Sequence, residues 1–255
     1  MKFNCIARLD ELSNKLAMKI ENALQAQGYL KDEKAPELVV VVGGDGTFLL
    51  AAHEYMDQLD DICFIGIHTG TLGFFTDYTD DEVDQLLDDL INKQPKEISY
   101  QLLKVTYQDR CVYALNEMRV ENVSRTQCID VFVNDEEFET FSGTGLCICT
   151  QLGSTAFNRS LHGAVIQEGL PLLEMSEISG IHNRCYRSLG SSIIMKDDAK
   201  IKFIAESFDK ALLCIDYMTF PLDGVKEINI ELSKKHVRML RYREVGYFNR
   251  LKSLF

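Results

Sequence analysis

The stretch Leu38-Val-Val-Val-Val42 is apolar at every position and β-branched at all but the first. Such an unbroken run reads as a strand buried on both faces of a parallel sheet. It ends on Gly43 and Gly44, and a helix-like run, Phe48–Tyr55, follows. Lys2–Arg8 reads as an earlier strand. Asp10 is placed to cap a helix running through Leu24 to about Gln27, with Gly28 to end it. Cys63–Ile67 is a third strand, followed by a glycine-containing loop, His68–Gly73. From Thr79 to Leu90 the apolar residues Val83, Leu86, Leu87 and Leu90 recur at helical spacing. Asp80, Asp81, Glu82, Asp84, Asp88 and Asp89 fill the positions between, as on a helix with one solvated face. Strand and helix alternate, which predicts parallel strands joined by right-handed crossovers.

The texture changes near Lys93–Glu97. Tyr100–Tyr107 and Cys111–Val120 read as strands around a Gln-Asp-Arg turn, and Ile129–Val133 and Glu137–Phe141 as a hairpin around Asn134-Asp135. Gly145–Thr150, Ala199–Ala205, Ala211–Tyr217 and Val225–Glu231 continue the β pattern. The chain therefore divides into an α/β domain with a parallel sheet, residues 1–95, and an all-β domain, residues 96–237. A basic tail from His236 onward carries Arg238, Arg241, Arg243, Arg250 and Lys252. It has three places to go: an edge strand, a return onto the first domain (residues 238–255), or a subunit interface.

At 255 residues the chain is long enough for a sizeable core. The net charge of −12 excludes a general nucleic-acid binder, which needs a basic stripe. No apolar run approaches about 18 residues, so no membrane span is expected. The N-terminus is too polar for a signal peptide. Eight cysteines are scattered without a Cys-x-x-Cys pair, and the expectation is reduced, buried thiols in a cytoplasmic protein. The five histidines show no ligand spacing, so no metal is expected to be held by side chains alone.

Candidate chemistry starts at the end of the Leu38–Val42 strand. Gly43, Gly44 and Gly46 lie where a strand gives way to a helix, and free backbone N–H groups and the helix dipole there favour phosphate. Asp45, with Thr47 after it, is the odd member, since a carboxylate beside phosphate is repulsive unless something compensates it. The alternative is a tight turn with Asp45 as an N-cap. The spacing is neither a Rossmann fingerprint nor a Walker A loop. In the β half, Leu115-Asn-Glu117 interrupts an apolar strand with an amide and a carboxylate able to read a base and hold ribose hydroxyls, unless the pair merely marks a bulge or an edge. Thr150-Gln-Leu-Gly-Ser-Thr-Ala-Phe-Asn158 follows a strand and makes a second donor-rich turn; alternatively Ser154 or Thr155 caps the helix after it.

Together these motifs resemble the NAD kinase family. That family carries Gly-Gly-Asp-Gly-Thr, then Asn-Glu or Asn-Asp, then Gly-Ser-Thr-Ala-Tyr, in this order and at similar separations. Thr69-Gly-Thr-Leu-Gly-Phe74 is similar to the family's Asn-x-Gly-x-Leu-Gly-Phe segment, with His68 where Asn is usual. Glu177–Arg184, ending in Ile181-His-Asn-Arg184, resembles the segment lining the family's nicotinamide pocket. The resemblance covers nearly the whole chain and is closest to the short forms of low-GC Gram-positive bacteria.

The resemblance implies phosphorylation of NAD to NADP, with ATP or polyphosphate as donor, Mg²⁺ or another divalent metal, and a homotetramer or homodimer. It implies Asp45 facing the 2′-hydroxyl of the adenosine ribose, as general base, with Gly43, Gly44, Gly46 and Thr47 at the donor phosphates. It implies Asn116 on the adenine, Glu117 on the ribose, and Phe74, Thr155 and Ala156 as adenine wall. Ser160 and Ile181 would border the nicotinamide half. Three departures stand out. Thr144 replaces a carboxylate at the nicotinamide end, Phe157 replaces a tyrosine, and Gln151-Leu152 replaces Pro-Ser or Pro-Thr. The alternatives are a lipid or diacylglycerol kinase, which shares Gly-Gly-Asp-Gly-Thr, and a non-catalytic NAD(P) sensor.

Overall fold

A computed structural model of the protein describes residues 1–70, 72–182 and 186–254. Thr71, Asn183, Arg184, Cys185 and Phe255 lie outside them. Two compact units pack separately, residues 1–100 with 235–255, and residues 101–234. Their boundaries fall a few residues from the expected 95/96 and 237/238.

The first unit opens with β1 (Lys2–Ala7), α1 (Glu11–Ala26), β2 (Leu30–Lys31), β3 (Leu38–Val42), α2 (Asp45–Glu54), β4 (Cys63–His68), β5 (Tyr78–Thr79), α3 (Val83–Asn92) and the start of β6 (Lys96–Tyr107). Asp10 caps α1 by accepting the Ser13 N–H at 2.9 Å, and Gly28 beyond its end has φ +83°, a left-handed value glycine adopts without strain. The parallel order β2-β1-β3-β4 buries β3 completely, as its branched apolar run requires. The acidic helix begins at Val83, after a single 3-10 turn at Asp80–Glu82. The helix after β3 begins at Asp45 rather than Phe48. The glycines hid its first turn, because helix propensity counts against them.

The second unit contains the rest of β6, then β7 (Arg110–Ala114), β8 (Glu117–Glu121), β9 (Gln127–Val133), β10 (Glu136–Gly143), β11 (Gly145–Thr150), α4 (Phe157–Ser160), β12 (Leu172–Ile178), β13 (Ile193–Lys196), β14 (Lys200–Ile204), β15 (Leu212–Ile215), β16 (Met218–Pro221) and the first part of β17 (Glu227–Arg241). The sheet β13-β12-β11-β8-β15-β16 is antiparallel throughout. A second sheet includes β10-β9-β14-β17. Leu103, Met118, Val131, Leu146, Phe203 and Ile228, from strands of both, share one buried core. Asn134 and Asp135 have φ of +53° and +65°, the type I′ geometry of a two-residue hairpin.

β17 is longer than Val225–Glu231. Arg238 and Met239 pair in parallel with Cys63 and Phe64 of β4, and α5 (Tyr247–Lys252) follows. The tail thus returns to the first unit as an inner strand and a short helix, and not as an edge. The single strand expected over Cys111–Val120 is two, β7 and β8, parted at Leu115-Asn116. Thiol burial is uneven: Cys147, Cys149 and Cys214 are buried but Cys111 and Cys128 are exposed, and all the described cysteines are free.

Candidate active site

Gly44, not Asp45, is the N-cap residue of α2. Asp45 is therefore not a cap, and its carboxylate turns to the 72–76 loop of the same unit. Oδ2 accepts the Phe74 N–H at 3.0 Å and Oδ1 the Phe75 N–H at 3.1 Å. A carboxylate has about four lone-pair sites, so both oxygens keep acceptor capacity. A Cβ at Gly73 would overlap the Asp45 carboxylate, and one at Gly43 the Thr47 side chain, whereas nothing stands within 4 Å of a Cβ at Gly44 or Gly46. Close packing therefore demands glycine at 43 and 73 but not at 44 and 46, where the open space lies above the first turn of α2. Thr47 is buried and Phe74 half-buried, with the Phe74 ring 6.2 Å from that of Tyr247.

In the second unit the break between β7 and β8 is held by Asp216, at the β15–β16 turn. Its carboxylate accepts the N–H groups of Leu115 and Asn116, each at 2.8 Å, and of Glu117 at 3.2 Å. From the other side Thr150 donates its N–H to the Asn116 carbonyl at 2.8 Å and its hydroxyl to the Leu115 carbonyl at 2.7 Å. Gly153 sits where a Cβ would strike the Asn116 backbone. The Asn116-Glu117 pair is therefore a built feature, more than a bulge. Sequence reading missed Asp216, having taken Ala211–Tyr217 as one strand. The signal was a polar Asp-Tyr pair ending the apolar run Leu212–Ile215.

Glu117 is buried, and its Oε2 has no hydrogen-bond partner. Burial, then the neighbouring Asp216 charge, push its carboxyl up to about 7, against the pull of Arg119 and the Phe157 N–H. An orphaned carboxylate oxygen of this kind lacks a donor such as a hydroxyl. Neither Ser154 nor Thr155 caps α4. Their hydroxyls donate to the Gln151 carbonyl at 2.6 Å and the Leu152 carbonyl at 3.1 Å, tightening the turn before it. Thr155, Ala156 and Phe157 are half-buried, and the Arg119 guanidinium covers one face of the Phe157 ring at 3.9 Å. At most one ring face is therefore left to stack. Buried Asn158 anchors the segment to β12, donating to Glu174 at 2.8 Å and accepting from Ser176 at 2.7 Å.

Thr144 is half-buried between β10 and β11, and its N–H donates to the Ile178 carbonyl at 3.0 Å. Ile181 is anchored nearby, donating to the Ser142 carbonyl at 2.6 Å while 46% exposed. Ser160 is exposed, its hydroxyl turned back to the Phe157 carbonyl at 2.7 Å. Asn116, Glu117, Thr144, Thr155, Ala156, Phe157, Ser160 and Ile181 thus belong to the second unit, and Gly43–Thr47 and Phe74 to the first. Among the described residues no three His, Cys, Asp or Glu side chains group as a metal site, and no helix is long and apolar enough to cross a membrane.

The whole chain is similar to known proteins. A family profile described as the ATP-NAD kinase N-terminal domain matches residues 12–95. An NAD kinase of Levilactobacillus brevis is 38% identical over all of this chain and 98% of its own length. One from Latilactobacillus sakei is 38% identical over 95% of this chain and 93% of its own. NAD kinase 1 of Oceanobacillus iheyensis is 35% identical over all of this chain and 98% of its own length. The fold is also that of an Archaeoglobus fulgidus NAD kinase solved with ATP, at a TM-score of 0.82, 21% identity, and coverage of 100% of this chain and 98% of that one. Yeast NADH kinase solved with NADH gives a TM-score of 0.80 at 16% identity, covering 99% of this chain and 85% of the other. Identity of this extent over whole chains places this chain in the NAD kinase family.

Proposed function

We propose that this chain phosphorylates NAD on the 2′-hydroxyl of its adenosine ribose, with ATP or polyphosphate as donor, and releases NADP. The observation that carries the reading is the Asp45 carboxylate, held by two backbone N–H groups at the first turn of a helix whose neighbouring glycines leave open space. Phosphoryl transfer needs an in-line nucleophile and positioned charge more than covalent help from the protein. Asp45 takes the hydroxyl proton as the oxygen attacks the terminal phosphorus and the bond to the leaving phosphate breaks. The N–H groups at the start of α2 face the donor phosphates. Asn116 and Phe74 hold the adenine, and Glu117 takes the ribose hydroxyls on its unpartnered oxygen. Thr155, Ala156 and the free face of Phe157 line the adenine, with Thr144, Ser160 and Ile181 toward the nicotinamide.

The described residues do not build a cage for a divalent cation. Mg²⁺ would enter with the donor phosphates and would neutralise their charge during transfer. Free thiols suit a reducing cytoplasm, and exposed Ile181 and Leu189 suit burial in a homodimer or homotetramer.

A coupled assay of NADP formation tests the reading, run with NAD or NADH against ATP or polyphosphate. Magnesium-dependent NADP formation is expected. Tight NAD binding without NADP formation from either donor would make the protein a sensor.

A further inference from the structure

The carbonyls that back the Asp45 loop are held by the C-terminal tail of the same unit. Ser253 donates its hydroxyl to the Leu72 carbonyl at 2.9 Å. Arg250 Nη1 donates to the carbonyls of Gly73 at 3.0 Å and Thr76 at 2.5 Å. Arg241 Nη2 donates to the Phe74 carbonyl at 3.1 Å. The Asp77 carbonyl receives Arg243. The Asp77 side chain, itself buried, takes both Arg241 and Arg250. Both guanidiniums are buried as well, at 7% and 3% exposure, which is rare for arginine and calls for a reason.

The planar peptide supplies one. A trans peptide unit points its carbonyl and its N–H in opposite directions in one plane. The Gly73 carbonyl shares its plane with the Phe74 N–H, and the Phe74 carbonyl shares its plane with the Phe75 N–H. Those are the two N–H groups that hold Asp45. Arg250 therefore fixes the plane of one donor and Arg241 the plane of the other. A cation on the carbonyl end also polarises the unit and strengthens its N–H as a donor. Two cations share the Asp77 carboxylate behind the peptides, on the side away from Asp45. Burial and the neighbouring Arg241 push the Arg250 guanidinium down, and Asp77 offsets them only in part.

We propose that Arg241 and Arg250 are positioning residues for phosphoryl transfer: each fixes one of the two peptide planes whose N–H groups set the Asp45 carboxylate. The proposal rests on reading Asp45 as the base. It gives the tail a part in the reaction although neither arginine touches the reacting atoms.

Steady-state kinetics on the full chain test it, with folding checked by circular dichroism and thermal melting. Arg250→Met is expected to lower kcat by about 10- to 100-fold, the scale of a misplacement of about 1 Å. The KM for NAD should stay within about threefold, since ground-state binding is untouched. In an Asp45→Asn background the same change should alter the residual rate less than about twofold, because the two residues act as one unit. If Arg250→Met does not fold, Arg250→Lys serves. It keeps the charge beside Asp77 but cannot reproduce the planar fork, and its kcat should fall by about threefold or more. A folded Arg250 variant with wild-type kcat, or effects that multiply with those of Asp45→Asn, overturns the proposal and leaves Asp45 as the base. A wild-type rate for Asp45→Asn is the separate result that removes the base, and the positioning with it.

Discussion

Asp216 and Asn116 stand 100 residues apart in the chain, yet Oδ1 of Asp216 accepts the Asn116 backbone N–H at 2.8 Å. Through this bond and those to Leu115 and Glu117, one carboxylate shapes the place where β7 ends and β8 begins. Removing it strands three N–H donors, each costing about 1–3 kcal/mol if left dry. Asp216→Ala should therefore destabilise the protein by about 3 kcal/mol in urea unfolding, allowing for water at part of the site. It should also raise the KM for NAD far more than that for ATP, since the donor side lies in the other unit. Equal losses for both substrates would separate Asn116-Glu117 from NAD recognition.

Glu117 makes stability depend on pH. In the fold its carboxyl keeps its proton to about pH 7, against an ordinary value of 4.5. Between those values the folded state binds more protons than the unfolded one. Stability therefore falls as pH rises from 4.5 to about 7 and is level above it. The shift corresponds to about 3 kcal/mol. Glu117→Gln removes this titration, so its stability relative to wild type should improve by about that amount between pH 4.5 and pH 8. Ribose hydroxyls that donate to the charged oxygen would pull the carboxyl back down. NAD binding near pH 7 should then release protons, seen by calorimetry in buffers of different ionisation enthalpy and absent in Glu117→Gln.

The glycines around Asp45 serve different ends. Gly73→Ala puts a methyl into the Asp45 carboxylate, so kcat should fall by about tenfold or more, the mark of a displaced catalytic group. At Gly46 a Cβ meets nothing within 4 Å, and the position is helical. Gly46→Ala should stabilise the protein by about 0.5–1 kcal/mol through the helix propensity alone. Its KM for ATP should nevertheless rise, because the open space is where donor phosphate approaches. An unchanged KM would place the phosphates elsewhere.

How much of this was legible in the sequence depended on the range of the interactions. β3 and β11 run over Leu38–Val42 and Gly145–Thr150, where local pattern and burial agree. The hairpin at Asn134-Asp135 was equally local, because two left-handed residues define it. The start of α2 was hidden by its glycines, of which packing against Thr47 explains Gly43 but not Gly44 or Gly46. Asp216, Arg241 and Arg250 act on residues 99 to 177 positions away, and no periodicity reports such pairings. The basic tail was visible as composition, but its sequence left three places open, and the burial of Arg241 and Arg250 against Asp77 and the loop carbonyls had no local signal.

Thr144→Asp introduces the carboxylate that the family resemblance implies for this position. Thr144 is half-buried and anchored by its own backbone, donating to the Ile178 carbonyl at 3.0 Å and accepting from Asn122 at 2.8 Å. The substitution can therefore leave the backbone in place and change only the group presented. A carboxylate accepting the nicotinamide carboxamide N–H makes a charge-assisted bond worth about 1.5–3 kcal/mol before desolvation. Half-burial makes that desolvation partial, and about 1 kcal/mol should remain, roughly a fivefold gain in NAD affinity by isothermal titration. Weaker binding would show a pocket rebuilt as a unit around Thr144 and Phe157, whose ring already has Arg119 over one face.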